Sequence, residues 1–280
     1  MTGGESAEVA VEFRLFGRFV ALTHGREVPP ADFGGRKVRQ LVRILLTRRG
    51  GHVSTDALAE MLWPARMPRD PAANLAVLVT RARRAVGARD LIVSGDAGYR
   101  SGLTEQRCRV DTHDFVSLVT ASRTADNAPA LGACRSALAL WTGDPLCEDQ
   151  CAMWAIEYRD LLSQYRIEAL ERGIGLCLER FDTTQAIEWA SSAMSVAPLR
   201  ERSVVLAMRS FAAHGDRCRA LDLYDHFRHE LSAELGVDPS PSAVETFDGL
   251  LRSAGPEEPQ WGYLRRPQDT TRAPFSRSTP

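Results

Sequence analysis

Hydrophobic and polar positions change their period several times along this chain, and the changes mark out its elements. Val9, Val11, Phe13 and Leu15 alternate with small or polar residues, the two-residue period of a half-buried strand, until Gly17 breaks the run. Phe19 to Leu22 repeats the extended pattern as far as a turn at His24-Gly25, and Val28 lies in a third short segment ending at Pro29-Pro30. Together these predict a small antiparallel sheet. From Arg36 the spacing becomes three and four, with Val38, Leu41, Val42 and Leu45 on one side of a helix that closes at Arg48-Arg49 and stops at Gly50. A second helix starts behind Ser54, whose hydroxyl suits an N-cap, turns Leu58, Met61 and Leu62 inward and ends at Trp63-Pro64. Asp70 caps a third, with Pro71 at its first position, an inward stripe of Leu75, Leu78, Val79, Ala82 and Val86, and Gly87 as its stop. Leu91-Ile92-Val93 and Tyr99-Arg100 then flank Ser94-Gly95-Asp96-Ala97-Gly98, a hairpin with a glycine-rich tip.

At about 100° per residue the opposite face of the third helix carries Ala73, Asn74, Val77, Thr80, Arg81 and Arg84, with no acid. Such a face suits a DNA major groove, where Arg can read guanine and Asn adenine. Taken alone it fits a solvated amphipathic surface better. The glycine-tipped hairpin that follows shifts the reading toward DNA, and charge agrees. The formal net charge of −1 conceals 16 basic and 8 acidic residues in Val9 to Leu103, against 15 basic and 23 acidic in Thr104 to Gly255. A basic segment joined to an acidic one points to a polyanion partner for the first half only.

Strands, three helices and a closing hairpin make a winged helix, and with the sheet placed first the order resembles the response-regulator type of that fold, OmpR/PhoB-like. Gly98-Tyr99-Arg100 is similar to that family's closing Gly-Tyr-Arg, and Val79-Thr80-Arg81-Ala82-Arg83-Arg84 to the end of its recognition helix. The resemblance implies that Asn74, Val77, Thr80, Arg81 and Arg84 face bases or nearby phosphates. It makes Arg36, Lys37 and Arg39, which open the first helix, candidate phosphate contacts, with Ser54, Tyr99 and Arg100 as further DNA-binding positions. Ala73 departs from the pattern, standing near where the family often has a base-contacting arginine. The loop Pro64-Ala65-Arg66-Met67-Pro68-Arg69, whose counterpart in related winged helices touches RNA polymerase, makes Arg66, Met67 and Arg69 candidates for that contact.

The second half follows a linker around Thr104 to Arg109 and reads as helix after helix from Val110-Asp111 to Leu251, the first with Phe115, Leu118 and Val119 on one side. Compared with itself at an offset of 34, the chain sets Phe181-Asp182 against Gly215-Asp216, Ala186-Ile187 against Ala220-Leu221, Ala190 against Tyr224 and Ala193 against Phe227. That is the tetratricopeptide period, in which paired helices stack because neither buries its apolar face alone. The copies diverge: Pro198 has Ser232 as its counterpart, and Cys177 has Phe211.

Three longer strings resemble the bacterial transcriptional activation domain: Ala139 to Leu146, Ala197 to Arg202 and Glu230 to Pro239. Behind a winged helix, this arrangement resembles the Streptomyces antibiotic regulatory protein family over roughly Val9 to Leu251. The resemblance implies a sequence-specific transcriptional activator, pathway-specific for a secondary-metabolite (antibiotic) gene cluster. It would bind direct repeats in double-stranded promoter DNA as a homodimer or tandem monomers and recruit RNA polymerase holoenzyme. Two alternatives stay open: a helical-repeat scaffold with an accessory winged helix, and a repressor using the same DNA-binding domain.

The expected fold is thus an α+β winged helix at residues 9–103, an all-α tetratricopeptide-like domain at 110–252 and a proline-rich, disordered tail at 253–280, where Trp261 and Tyr263 could dock on the helices. An enzyme is not expected. The basic residues are 34 Arg and one Lys, so a Walker A loop or a Schiff-base lysine would need Lys37, which follows Arg36 rather than glycine. No Gly-x-Ser-x-Gly elbow or His-Glu-x-x-His helix is present. His226 and His229 near Cys218 lack an evident acidic third ligand, so no metal or other cofactor is expected. The six cysteines form no Cys-x-x-Cys pair and read as reduced thiols, although Cys147 and Cys151 could pair on oxidation. No stretch approaches the ~18 apolar residues of a membrane helix, and Met1 to Glu8 offers no secretory h-region, which suggests a cytoplasmic protein without a membrane partner.

Overall fold

The computed structural model describes residues 11–102 and 107–252. Val9, residue 103 at the end of the expected winged helix, residues 104–106 of the expected linker, and the tail with Trp261 and Tyr263 lie outside the described residues. Three short strands open the chain: β1 (Val11–Arg14), β2 (Val20–Thr23) and β3 (Arg26–Glu27). Three helices follow, α1 (Arg36–Thr47), α2 (Thr55–Leu62) and α3 (Pro71–Val86), then a hairpin of β4 (Ile92–Gly95) and β5 (Gly98–Ser101). The alternation read in the first strand is the burial pattern: Phe13 and Leu15 are fully buried, and Arg14 is exposed. All five residues of the inward stripe on the third helix are buried.

One expectation is corrected. Cys108–Val110, its first two residues expected in a linker and its third as the lead into a helix, is a strand, β6, that lies parallel to β1 and completes a sheet of order β3-β2-β1-β6. Three residues with no apolar run of their own carry too little periodic signal to be read as a strand. Val11 N–H donates to the Arg107 carbonyl at 3.1 Å, and Val110 and Cys108 add to the core.

The rest is helical: α4 (Asp111–Thr124), α5 (Asn127–Leu140), a 3-10 turn at Cys147–Asp149, α6 (Met153–Glu179), α7 (Thr183–Val196), α8 (Glu201–Ala213), α9 (Arg217–Leu235) and α10 (Pro241–Arg252). The 34-residue offset relates equivalent local structures. Asp182 Oδ1 accepts from Gln185 N–H and Asp216 Oδ1 from Arg219 N–H, capping α7 and α9 alike. Asp182 N–H reaches the Cys177 carbonyl at 2.9 Å, and Asp216 N–H reaches Phe211 at the same distance. Phe181 (φ 59°) and Gly215 (φ 94°) both make the left-handed turn between the helices of a pair. Ala186, Ala190 and Ala193 are buried like their partners Ala220, Tyr224 and Phe227, so at two of these three positions a small residue in one pair stands where a bulky one stands in the next.

The two halves share one core. Phe16, at the end of β1, lies 4.8 Å from Trp141 and 5.5 Å from Phe115, centroid to centroid, and Trp141 also contacts Phe115. Leu146 N–H donates to the Leu15 carbonyl and Gly17 N–H to the Asp144 carbonyl, so the segment after α5 runs against the end of β1. Asp111, the first residue of α4, accepts from the N–H groups of Leu15, Phe16 and Thr112. Burial pushes its carboxyl up to about 6, against the pull of those donors and of Arg14.

Candidate nucleic-acid interface

Three local devices place α3. Asp70 Oδ1 accepts from Ala73 N–H at 2.9 Å, Pro71 sits in the first turn where no N–H is required, and Gly87 (φ 72°) ends the helix in the left-handed conformation. With the apolar stripe held against α1 and α2, the residues Ala73, Asn74, Val77, Thr80, Arg81 and Arg84 all stand exposed on the outer face. Val77 is 51% exposed, a large apolar side chain in the middle of a polar surface. Arg81 and Arg84 form no hydrogen bond or ion pair with any described residue. Asn74 donates to the Asp70 carbonyl (2.7 Å) and Thr80 to the Ala76 carbonyl (2.8 Å), so both rest on their own helix and must change rotamer to reach a ligand. Arg83 instead ties α3 to the hairpin, donating to the Ile92 carbonyl through Nε (3.1 Å) and Nη2 (2.6 Å).

The hairpin is anchored behind α2. Val53 and Tyr99 exchange backbone hydrogen bonds at 2.8 and 2.9 Å, and Gly98 (φ 113°) passes so close that a β-carbon there would lie 2.1 Å from the Val53 carbonyl oxygen. That close approach explains the glycine of the Gly98-Tyr99-Arg100 string. Tyr99 and Arg100 are half-buried, and Arg100 donates to the Ser101 carbonyl at 3.1 Å. Ser54 caps α2, its hydroxyl accepting from Ala57 N–H at 3.2 Å. The exposed tip carries Asp96, a carboxylate that repels phosphate, which leaves Ser94 and backbone N–H groups as the tip's donors.

The three basic residues that open α1 have partners within the chain. Arg36 donates to the Glu148 carbonyl at 3.0 Å, and Arg39 lies 3.6 Å from the Glu148 carboxylate. Lys37 donates to the Leu62 carbonyl and to Gln40 Oε1, and its pKa is lowered by burial first and by Arg36 second. The structure therefore brings the α3 residues together on one surface, turns Arg36 and Arg39 toward the seam between the halves, and ties Lys37 to the end of α2. The start of α1 is still adjacent to that surface. A β-carbon on Gly34 would lie 3.9 Å from Arg81 Cδ, and among the described residues no side chain caps the N–H groups of the first turn of α1. A phosphate there could meet backbone donors and Arg81 together.

Sequence reasoning missed the centre of the seam. Arg43, on the buried side of α1, is 1% exposed and pairs with Asp149 at 2.6 Å and with Glu148 at 2.9 Å. Its guanidinium lies 5.2 Å from the Phe19 ring centroid. An arginine at an apolar helical position was the available signal, but its partner is 106 residues away. Between α2 and α3, Arg66, Met67 and Arg69 are exposed, Met67 at 46%.

Residues 110–251 match the model of the bacterial transcriptional activator domain, half the chain and nearly all of its helical part. The chain belongs to the bacterial transcriptional activator domain family. Its resemblance to the Streptomyces antibiotic regulatory proteins is upheld by the relatives it matches. It is 28% identical to the regulatory protein AfsR of Streptomyces griseus over 79% of its own length but only 23% of that protein, so it spans under a quarter of that relative. With the regulatory protein DnrI of Streptomyces peucetius it shares 24% identity over 89% of this chain and 97% of that one. The fold is similar to a solved structure of Mycobacterium tuberculosis EmbR in complex with a low affinity phosphopeptide, with a TM-score of 0.77 at 21% identity, covering 87% of this chain and 65% of that one. The activator-domain match begins at β6 and α4, so every candidate DNA-facing residue lies ahead of it.

Proposed function

We propose that the chain is a sequence-specific DNA-binding activator of transcription in which residues 11–102 form a winged helix. In this reading α3 enters the major groove and the β4–β5 hairpin is the wing over the neighbouring backbone. The observation that carries it is the outer face of α3: Arg81 and Arg84 unpaired among the described residues, Asn74, Thr80 and Val77 between them, and no acid. Arg81 and Asn74 read base edges, Val77 suits a thymine methyl, and Arg84 and the uncapped start of α1 take phosphates. Ser54, Tyr99 and Arg100 hold the wing and α2 against the backbone. Arg36 and Arg39 act first on the seam and Lys37 on the end of α2, and any phosphate contact by Arg36 requires it to leave Glu148.

The helical part, with its offset of 34, is tetratricopeptide-like and holds the DNA-binding part rigidly through the shared core. Membership of the activator-domain family supports activation over repression, and relatives named as regulatory proteins support a role in regulation. We assign the target as promoter direct repeats of a secondary-metabolite cluster, bound by a homodimer or tandem monomers. The loop at Arg66, Met67 and Arg69 precedes α3 and faces solvent, as a contact for RNA polymerase holoenzyme beside the operator must.

Footprinting on the intergenic DNA beside the protein's own gene, with and without polymerase holoenzyme, tests the reading. Protected repeats, with log K falling by about 0.9 per phosphate contact per log unit of salt, are expected. Binding that does not respond to salt refutes it. Alanine at Arg66 and Arg69 should abolish activated transcription while DNA affinity stays within about threefold, under 1 kcal/mol.

A further inference from the structure

The helical half is acidic as a whole, yet its inner face is not. The first helices of successive pairs touch one another in series, α4 on α6, α6 on α8 and α8 on α10, whereas among the described residues no comparable contact joins α5 to α7 or α7 to α9. This makes α4, α6, α8 and α10 the inner, concave layer of the stack. Two adjoining cavities of about 450 and 430 Å3 open along it, both bordered by Arg202, and none of their lining residues comes from α5, α7 or α9. Five arginines line them, Arg123, Arg172, Arg200, Arg202 and Arg209, against three glutamates. A segment with 23 acidic and 15 basic residues therefore gathers a local positive surplus on this one surface.

The cations are held in place but not neutralised. Glu171, only 4% exposed, accepts from Arg200 through Nε (2.7 Å) and Nη2 (3.1 Å) and from Ser203 Oγ (2.8 Å), and it lies 3.4 Å from Arg202 Nε. One buried carboxylate thus orients two guanidinium groups and balances one. Glu168 is taken up by Arg123, in a paired contact at 2.6 and 2.7 Å. Glu201 is also engaged, accepting from Ser240 N–H at 2.6 Å where α10 begins. Arg172 has a single long bond, 3.4 Å to the Ala125 carbonyl, and Arg209 has no partner among the described residues. Val205 and Leu206 fill the turn of α8 between Arg202 and Arg209.

We infer that this groove binds an acidic peptide segment of another protein. Fork-shaped donors on a concave surface crossing several helices match carboxylates spaced along an extended chain, and the Val205–Leu206 patch offers an apolar side chain a place between them. The chain's own residues 253–280 carry four arginines and three acids, the wrong balance for this surface. The inference goes beyond the DNA reading and does not rest on it.

The test is fluorescence anisotropy of the full chain with a labelled octapeptide of alternating Asp/Glu and Leu, beside the same peptide with Asn and Gln for its acids. Duplex DNA affinity is measured on the same preparations, so that failure of one reading is separable from failure of the other. Arg202 and Arg209 are exposed, and replacing both (Arg202→Glu with Arg209→Glu) should weaken the acidic peptide by about tenfold or more while leaving DNA affinity unchanged. Arg228→Glu, on the exposed side of α9, should change neither. Equal peptide binding by the double variant overturns the inference, as does an equal loss with Arg228→Glu. Displacement by inorganic phosphate as effective as by unlabelled peptide also overturns it, because the groove would then be a simple anion site.

Discussion

Replacing Arg43 by methionine strands the Asp149 carboxylate, whose side chain is fully buried, in the seam between the two halves. Breaking a buried ion pair by removing one partner costs about 3–5 kcal/mol, because the remaining charge keeps its desolvation penalty without its counterion. Against a total stability of about 5–15 kcal/mol for an ordinary domain, that is a large fraction. Glu148 suffers less, being 27% exposed and still near Arg39. Removing both charges is different. Arg43 Nη2 and Asp149 Oδ1 are buried without hydrogen-bond partners among the described residues, so attraction offsets the desolvation of the pair incompletely. The double variant Arg43→Met with Asp149→Leu should therefore fall within about 2 kcal/mol of the parent, or exceed it. Urea unfolding followed by tryptophan fluorescence is the assay, since Trp141 packs against Phe16 across the seam. A single variant within about 1 kcal/mol of the parent would show that the pair is solvated as an exposed one is. A double variant as unstable as the single one would place the loss in packing of the arginine over Phe19 rather than in charge.

Arg81→Ala and Asn74→Ala should each cost about 1–3 kcal/mol on the specific site and less on random duplex, measured by competition binding; equal losses on both would make these side chains backbone contacts. The raised value of Asp111 means that the native state binds more protons than the unfolded chain between about 4 and about 6, so stability should fall by up to about 3 kcal/mol as pH rises through that window. Asp111→Asn should flatten that slope, and an unchanged slope in paired unfolding curves would contradict it. Toward an aromatic disulfide reagent, exposed Cys151 and Cys218 should react fast, while Cys108, whose thiol burial pushes up to about 12, should wait for unfolding with Cys134 and Cys177. A third fast thiol that maps to Cys108 would refute the packing of β6.

Local elements were legible because local physics decides them. The caps at Ser54 and Asp70, the stop at Gly87 and the inward stripe of α3 depend on neighbours within a turn or two, and side-chain type and spacing encode them directly. The same periodicity placed the outer face of α3 correctly, since what is not inward on an amphipathic helix is outward. Three features required the tertiary structure. Cys108–Val110 becomes a strand only because β1 offers it an edge, and strand pairing at that separation leaves no mark on three residues. Arg36 and Arg39 read as free cations until Glu148 is brought beside them, and Arg43 finds its counter-ion only when the 3-10 turn folds over α1. The arginine surplus of the inner groove is likewise invisible in a segment that is acidic when counted along the chain. Charge adds up along a sequence, but a binding surface depends on which side of each helix the packing leaves open.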